Sequence, residues 1–98
     1  MKVAQTILTQ LGGNRFIAMT GSKQFVAGEN FLRMRLSRNK SGTNMLKINL
    51  NSLDTYDLEF IKVTKNDFKT VKTVHGVYND MLQEIFTSET GFYTKLYK

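Results

Sequence analysis

FLRMRLSRNKSGTNMLKINLNSLDTYDLEFIKV, residues 31–63, is the stretch whose reading decides the fold. Three runs within it, FLRMRLS (31–37), NMLKINLN (44–51) and TYDLEFIKV (55–63), alternate with period two. Leu32, Met34 and Leu36 alternate with Arg33 and Arg35, and Leu46, Ile48 and Leu50 with Lys47 and Asn49. Tyr56, Leu58 and Phe60 alternate with Asp57 and Glu59. Such alternation predicts strands with one face buried and the other in water. The wet face opens with arginines and a lysine and closes with carboxylates. Residues 31–50 hold five basic side chains and no acidic one.

Toward the N-terminus, Val3, Ile7, Leu8 and Leu11 fall at helical spacing and predict a helix over residues 3–11, with Gly12 and Gly13 as its left-handed end. Residues 14–20, NRFIAMT, read as a strand, with Phe16 and Ala18 on one side and Ile17 and Met19 on the other. Apolar groups on both sides suit a strand covered on two faces, or one at a dimer contact. Turn signals bracket KQFVA (23–27), which is either a brief strand or an extended crossing. Between the first two central strands, SRNKSGTN (37–44) reads as a mobile, polar and positively charged loop.

Toward the C-terminus, residues 51–54 and 64–67 are polar turns, the second marked by Asn66 and Asp67. FKTVKTV (68–74) follows as a strand whose Lys69 and Lys72 suit a sheet edge, where lysine blocks unwanted pairing. His75, Gly76, Val77 and Tyr78 mark a break before a last helix. Asn79 or Asp80 can cap it, Met81, Leu82, Ile85 and Phe86 share one face, and Thr90 and Gly91 end it. The tail FYTKLYK (92–98) either adds a short strand or folds over the apolar side. The sum is an α+β domain of order αβββββα over residues 1–98, with an antiparallel sheet of about five strands and both helices on one of its faces.

Composition bounds what such a domain can do. The 98 residues are 41% hydrophobic, enough to bury one modest core, and a homodimer would hide more apolar area. Without cysteine there is no disulfide, thiolate metal site or cysteine nucleophile. No apolar run approaches the ~20 residues of a spanning helix, the first residues make no signal peptide, and a cytoplasmic setting follows. The net charge of +6 is uneven: residues 1–50 carry eight Lys or Arg against Glu29, and residues 51–98 carry six against seven acids. Sign asymmetry of this kind is expected of a chain that meets a polyanion with one side, although solubility alone also favours a surplus of charge.

The candidate site is therefore a basic face. Arg33, Arg35 and Lys47 project from neighbouring strands, Arg38 and Lys40 stand in the loop beside them, and Phe31 shares their strand parity. In sheet-based readers of single strands, charges track the backbone while aromatic groups stack on bases. By parity Phe31 is the one aromatic on this face, and Asp57 and Glu59 adjoin it, where they offset the cations across the sheet. The rival partner is a host protein, such as a defence nuclease, bound through Phe31, Met45 and Ile61 as exposed anchors. Catalysis has little material. His75 is the only histidine, and Asp54, Asp57 and Glu59 with Lys62 are wrongly spaced for a compact nuclease set. No catalytic residue, metal ligand or cofactor is assigned.

The runs Leu11-Gly12-Gly13-Asn14, Phe16-Ile17-Ala18-Met19-Thr20-Gly21, Tyr56-Asp57-Leu58-Glu59-Phe60, Gly76-Val77-Tyr78 and Thr90-Gly91-Phe92-Tyr93-Thr94 carry a resemblance. They resemble a family of small uncharacterised proteins met in bacteriophages and mobile elements of bacteria, gut-associated ones especially. The resemblance covers most of the chain. It implies a phage or mobile-element origin and a bacterial cytoplasm, and it implies no catalytic residue.

Overall fold

Two adjacent glycines divide the N-terminal segment into two helices. The computed structural model describes residues 2–94, Lys2 by its backbone alone. Helix α1 (Lys2–Leu11) ends where the Gly12 N–H donates to the carbonyls of Leu8 and Thr9, at 3.2 and 3.1 Å. Gly12 then takes φ +128° and Gly13 φ +61°, and the chain re-enters a helix at once. This second helix, α2 (Gly13–Thr20), corrects the strand expected at residues 14–20. Phe16 and Thr20, one turn apart, are the buried positions of α2, and the Thr20 hydroxyl donates to the Phe16 carbonyl at 2.7 Å. The Phe16 ring meets Phe86 edge-on at 5.0 Å between centroids. Packing of one helical stripe on Phe86 overrides a local sequence with no preference for either period. Gly21 closes α2 in the left-handed region (φ +69°), donating to the Ile17 carbonyl.

Five strands follow: β1 (Lys23–Ala27), β2 (Phe31–Arg35), β3 (Met45–Leu50), β4 (Tyr56–Val63) and β5 (Phe68–Val77). They form one open antiparallel sheet in sequence order, so KQFVA is a strand and the count of five stands. A short 3₁₀ turn (Asn79–Met81) leads into α3 (Leu82–Thr90). Neither Asn79 nor Asp80 caps with its side chain; the Met81 N–H donates to the Tyr78 carbonyl at 2.9 Å instead. Gly91 ends α3 as expected, at φ +83° with its N–H on the Thr87 carbonyl. Of the tail, Phe92 packs against the core and residues 92–94 form no strand; residues 95–98 lie outside the described residues.

The alternation of the central strands puts the core on one side of the sheet. Leu32, Met34, Leu46, Ile48, Tyr56, Leu58 and Phe60 bury against Ala4, Ile7, Leu11, Phe16, Leu82 and Phe86 of the helices. Each such aliphatic or aromatic side chain contributes about 1.5–3 kcal/mol of transfer free energy. Tyr56 also ties α1 to β4 by donating its hydroxyl to Gln10 Oε1 at 2.8 Å, and burial raises its ionisation above the ordinary value against that bond. Among the described residues no helix is long and apolar enough to cross a membrane.

Both sheet edges are irregular. In β1 an extra residue falls between the pairs Lys23↔Arg35 and Val26↔Arg33, with Gln24 at φ +54°. In β5 the register slips twice, between its pairings with Tyr56 and Leu58 and with Phe60 and Ile61. Bulges and lysines together discourage edge-to-edge pairing, as expected for Lys69 and Lys72, although Lys72 also pairs with Glu89 of α3 at 2.7 Å. The second slip leaves Val71 as an extra residue in β5.

Candidate nucleic-acid interface

Period two sends the other half of each strand to the face away from the helices. Reading across the sheet, one row runs Val26, Arg33, Lys47, Glu59, Thr73, and the next runs Lys23, Arg35, Met45, Ile61, Thr70. Phe31, Asn49 and Asp57 form a third row. Arg33, Arg35 and Lys47 thus stand together on β2 and β3, each half-buried. Lys23 of β1 joins them, a position that the sequence reading passed over because the strand itself was in doubt.

The expected offset between cations and carboxylates is not made. Glu59 is the register partner of Lys47, yet among the described residues neither Lys47 nor the arginines have a carboxylate within 4.0 Å. Glu59 Oε2 accepts from the Asn49 amide at 3.0 Å instead. Asp57 Oδ1 accepts from the Gly76 N–H at 3.1 Å and from the Asn51 amide at 3.2 Å, with His75 Nδ1 at 3.4 Å. Burial alone would raise the Asp57 carboxyl, but these partners together hold it below its ordinary value. Both carboxylates are therefore bonded to neutral donors or to the neighbouring histidine; they keep their charge, but they form no ion pair with the cations, which remain in excess on the face.

Asp57 anchors the bulge at Gly76, whose φ is +68°. A carboxyl lowered in the fold contributes stability above its unfolded value near 4, and that contribution is lost as pH falls through the folded value. Asp57→Asn is accordingly expected to flatten the acid limb of a stability–pH profile below about pH 4, read as thermal midpoints from pH 7 down to pH 2. An unchanged acid limb would remove Asp57 from this role.

Phe31 is occupied rather than open. The Lys47 ammonium lies over its ring at 4.6 Å from the centroid, a cation–π contact. The ring also fills the space beside Gly28, where a Cβ would come within 2.0 Å of it. Phe31 thus holds Lys47 in place and is half-buried. Met45 and Ile61, expected as exposed anchors for a protein partner, are buried, at 8% and 1% exposure.

The loop at residues 37–44 departs furthest from expectation. Asn39 organises it: its amide donates to the carbonyls of Ser37 (2.7 Å) and Thr43 (2.9 Å), and its Oδ1 accepts from the Ser41 N–H (2.9 Å) and hydroxyl. The loop is bonded to itself rather than draped. Lys40 leaves the basic face altogether, its N–H donating to the Thr90 carbonyl at 3.2 Å and its methylenes lying along Gly91. That is the negative end of α3, which has no basic residue in its own last turn, so Lys40 answers the helix dipole. Arg38 is exposed at the loop's surface. Asn39→Ala, which orphans several of these groups, is expected to cost about 1–3 kcal/mol, measurable by urea denaturation; a loss below a few tenths would refute the organising role.

Structure also supplies a second aromatic on this face, Phe68, in addition to Phe31. β4 pairs with β5 as Phe60↔Lys72 and then Ile61↔Thr70, so Val71 is an extra residue. Beyond it Phe68 pairs with Val63, on the open-face parity of Glu59 and Ile61, and is 61% exposed. Of the acid–lysine set, Lys62 falls on the opposite parity from Asp57 and Glu59 and pairs with Lys69, so the register does not assemble it. Among the described residues no three His, Cys, Asp or Glu gather as metal ligands. The chain matches no protein-family model, no curated protein and no solved structure.

Proposed function

We propose that the protein binds single-stranded nucleic acid, DNA or RNA, with the open face of its sheet, without catalysis. The observation that carries the reading is the group Lys23, Arg33, Arg35 and Lys47 on three adjacent strands. Among the described residues these cations are free of ion pairs, while the carboxylates of the same face are engaged elsewhere. Cations left without carboxylate partners on an exposed sheet suit phosphate oxygens as their counter-ions. A sheet offers its pleated face to an unpaired strand, and these four cations lie on that face rather than on an element that would enter a duplex groove. The helices give no such element with a basic surface: α1 and α3 hold no basic residue in their last turns, and their apolar stripes face the core. The setting proposed from the family resemblance is a phage or mobile element acting in a bacterial cytoplasm.

The test is fluorescence anisotropy of labelled single-stranded DNA, RNA and duplex DNA, titrated with protein at several salt concentrations. Phosphate contact by Arg33, Arg35 and Lys47 predicts that log K falls against log salt with a slope of about −2 for single strands. Absence of binding to all three ligands at low salt would refute the proposal.

A further inference from the structure

The β4–β5 hairpin runs past the rest of the sheet. β3 pairs with β4 only between Met45↔Ile61 and Leu50↔Tyr56, so Lys62 and Val63 pair with β5 alone. Asn44 takes up both Val63 backbone groups with its side chain, each at 2.8 Å, and thereby replaces the missing strand residue. Past that point the ribbon turns at residues 64–67, closed by the Thr64 N–H on the Asp67 carbonyl at 2.9 Å.

The tip is built unlike a plain connection. It carries three exposed lysines, of which Lys62 and its register partner Lys69 take the parity opposite to Val63 and Phe68 while Lys65 stands in the turn, and one carboxylate, Asp67, whose Oδ1 accepts from the Phe68 N–H at 2.8 Å. Phe68 is the aromatic of the tip. Regular alternation back from Val74, which pairs with Leu58 on the core side, would send residue 68 to the core side as well. The extra residue at Val71 re-aims Phe68 to the face that carries Arg33, Arg35 and Lys47. It stands four residues along β4 from the Lys47–Glu59 row, a separation of about 13 Å.

We infer that this hairpin tip is a base-stacking subsite, in which Phe68 stacks on a base of a single strand while Lys65 in the turn neutralises a flanking phosphate. The inference rests on the nucleic-acid reading above and deepens it. Phe31 cannot serve the same role, because its ring already carries Lys47 and fills the space beside Gly28. An exposed aromatic beside the turn lysine, on the face that carries Arg33, Arg35 and Lys47, offers what a sequence-tolerant binder needs, a planar platform with cations along the same path. The strand then crosses the sheet obliquely, from the β2–β3 cations to the projecting ribbon. With Lys65 engaged, the salt slope steepens by about 0.7.

The protein contains no tryptophan, so Phe68→Trp introduces a single reporter at the site in question. Stacking is expected to quench its emission on addition of a single-stranded oligonucleotide, with the same midpoint as the anisotropy titration. Phe68→Ala is expected to weaken binding by tenfold or more with the salt slope unchanged, since stacking releases no counter-ions. Lys65→Ala is expected to reduce the slope by about 0.7, and Lys62→Ala with Lys69→Ala, on the other face of the ribbon, to leave it unchanged. Wild-type binding with no quenching of the introduced indole and no loss on Phe68→Ala would overturn the subsite and leave the basic face standing. Quenching by duplex but not by single strands would also overturn it. Absence of wild-type binding to any nucleic acid would refute the underlying reading itself, and Phe68 would then be tested as a protein contact. Circular dichroism keeps the variants interpretable, because position 68 is exposed and its replacement is expected to leave the fold intact.

Discussion

Phe16→Ala is expected to lower stability by about 3–5 kcal/mol, the usual cost of removing a fully enclosed aromatic ring. Phe16 has 0% exposure and makes the edge-on contact with Phe86 that joins α2 to α3. The loss combines transfer of the ring with a cavity that neighbours fill only partly, since Gly12 holds the backbone in a left-handed conformation, where a Cβ would stand 3.2 Å from that of Phe16. A domain of this size has about 5–15 kcal/mol in total, so the loss is a large share of its stability. At about 4–8 °C per kcal/mol the thermal midpoint falls by at least about 12 °C. Calorimetry or thermal circular dichroism reads this directly. A fall of less than about 4 °C would mean that residues 14–20 do not pack as a helix on α3.

Arg33→Ala combined with Arg35→Ala is expected to weaken single-strand binding by about 25-fold at 0.1 M salt, by removing two phosphate contacts at a slope of about 0.7 each. The salt slope itself should shrink by about 1.4. Both arginines are free of carboxylate partners among the described residues, and their replacement leaves no orphaned acid behind. The fold is therefore expected to lose little stability, which separates this variant from Phe16→Ala. Salt titration by anisotropy supplies affinity and slope together. Equal loss of affinity with an unchanged slope would mean that the arginines shape the face without meeting phosphate.

Much of the frame was legible because its signal is local. Alternation marked the three central strands at residues 31–37, 44–51 and 55–63, against Phe31–Arg35, Met45–Leu50 and Tyr56–Val63 in the structure. Helical spacing of Val3, Ile7, Leu8 and Leu11 marked α1, and Gly91 marked the end of α3. The same parity placed Arg33, Arg35 and Lys47 on one face. Residues 14–20 failed because Phe16, Ile17 and Met19 satisfy neither period well, and only contact with Phe86 selects the helix. The loop at 37–44 failed because its composition is that of a solvated connection, while Asn39 spends its amide on holding it closed.

What the sequence determined by itself was the alternation of charge and apolar groups, and with it an α+β sheet with one buried and one basic face. Period two is a property of the chain's own geometry and needs no partner to be read. Tertiary structure alone decided which charges stay unpaired and which aromatics are open. Glu59 and Asp57 find Asn49, Asn51, Gly76 and His75 rather than the cations, and Lys40 crosses to the end of α3. One extra residue at Val71 moves Phe68 from the core parity to the open face. Pairing and bulges depend on the register between strands, which joins residues far apart in the chain and leaves no periodic trace in either strand.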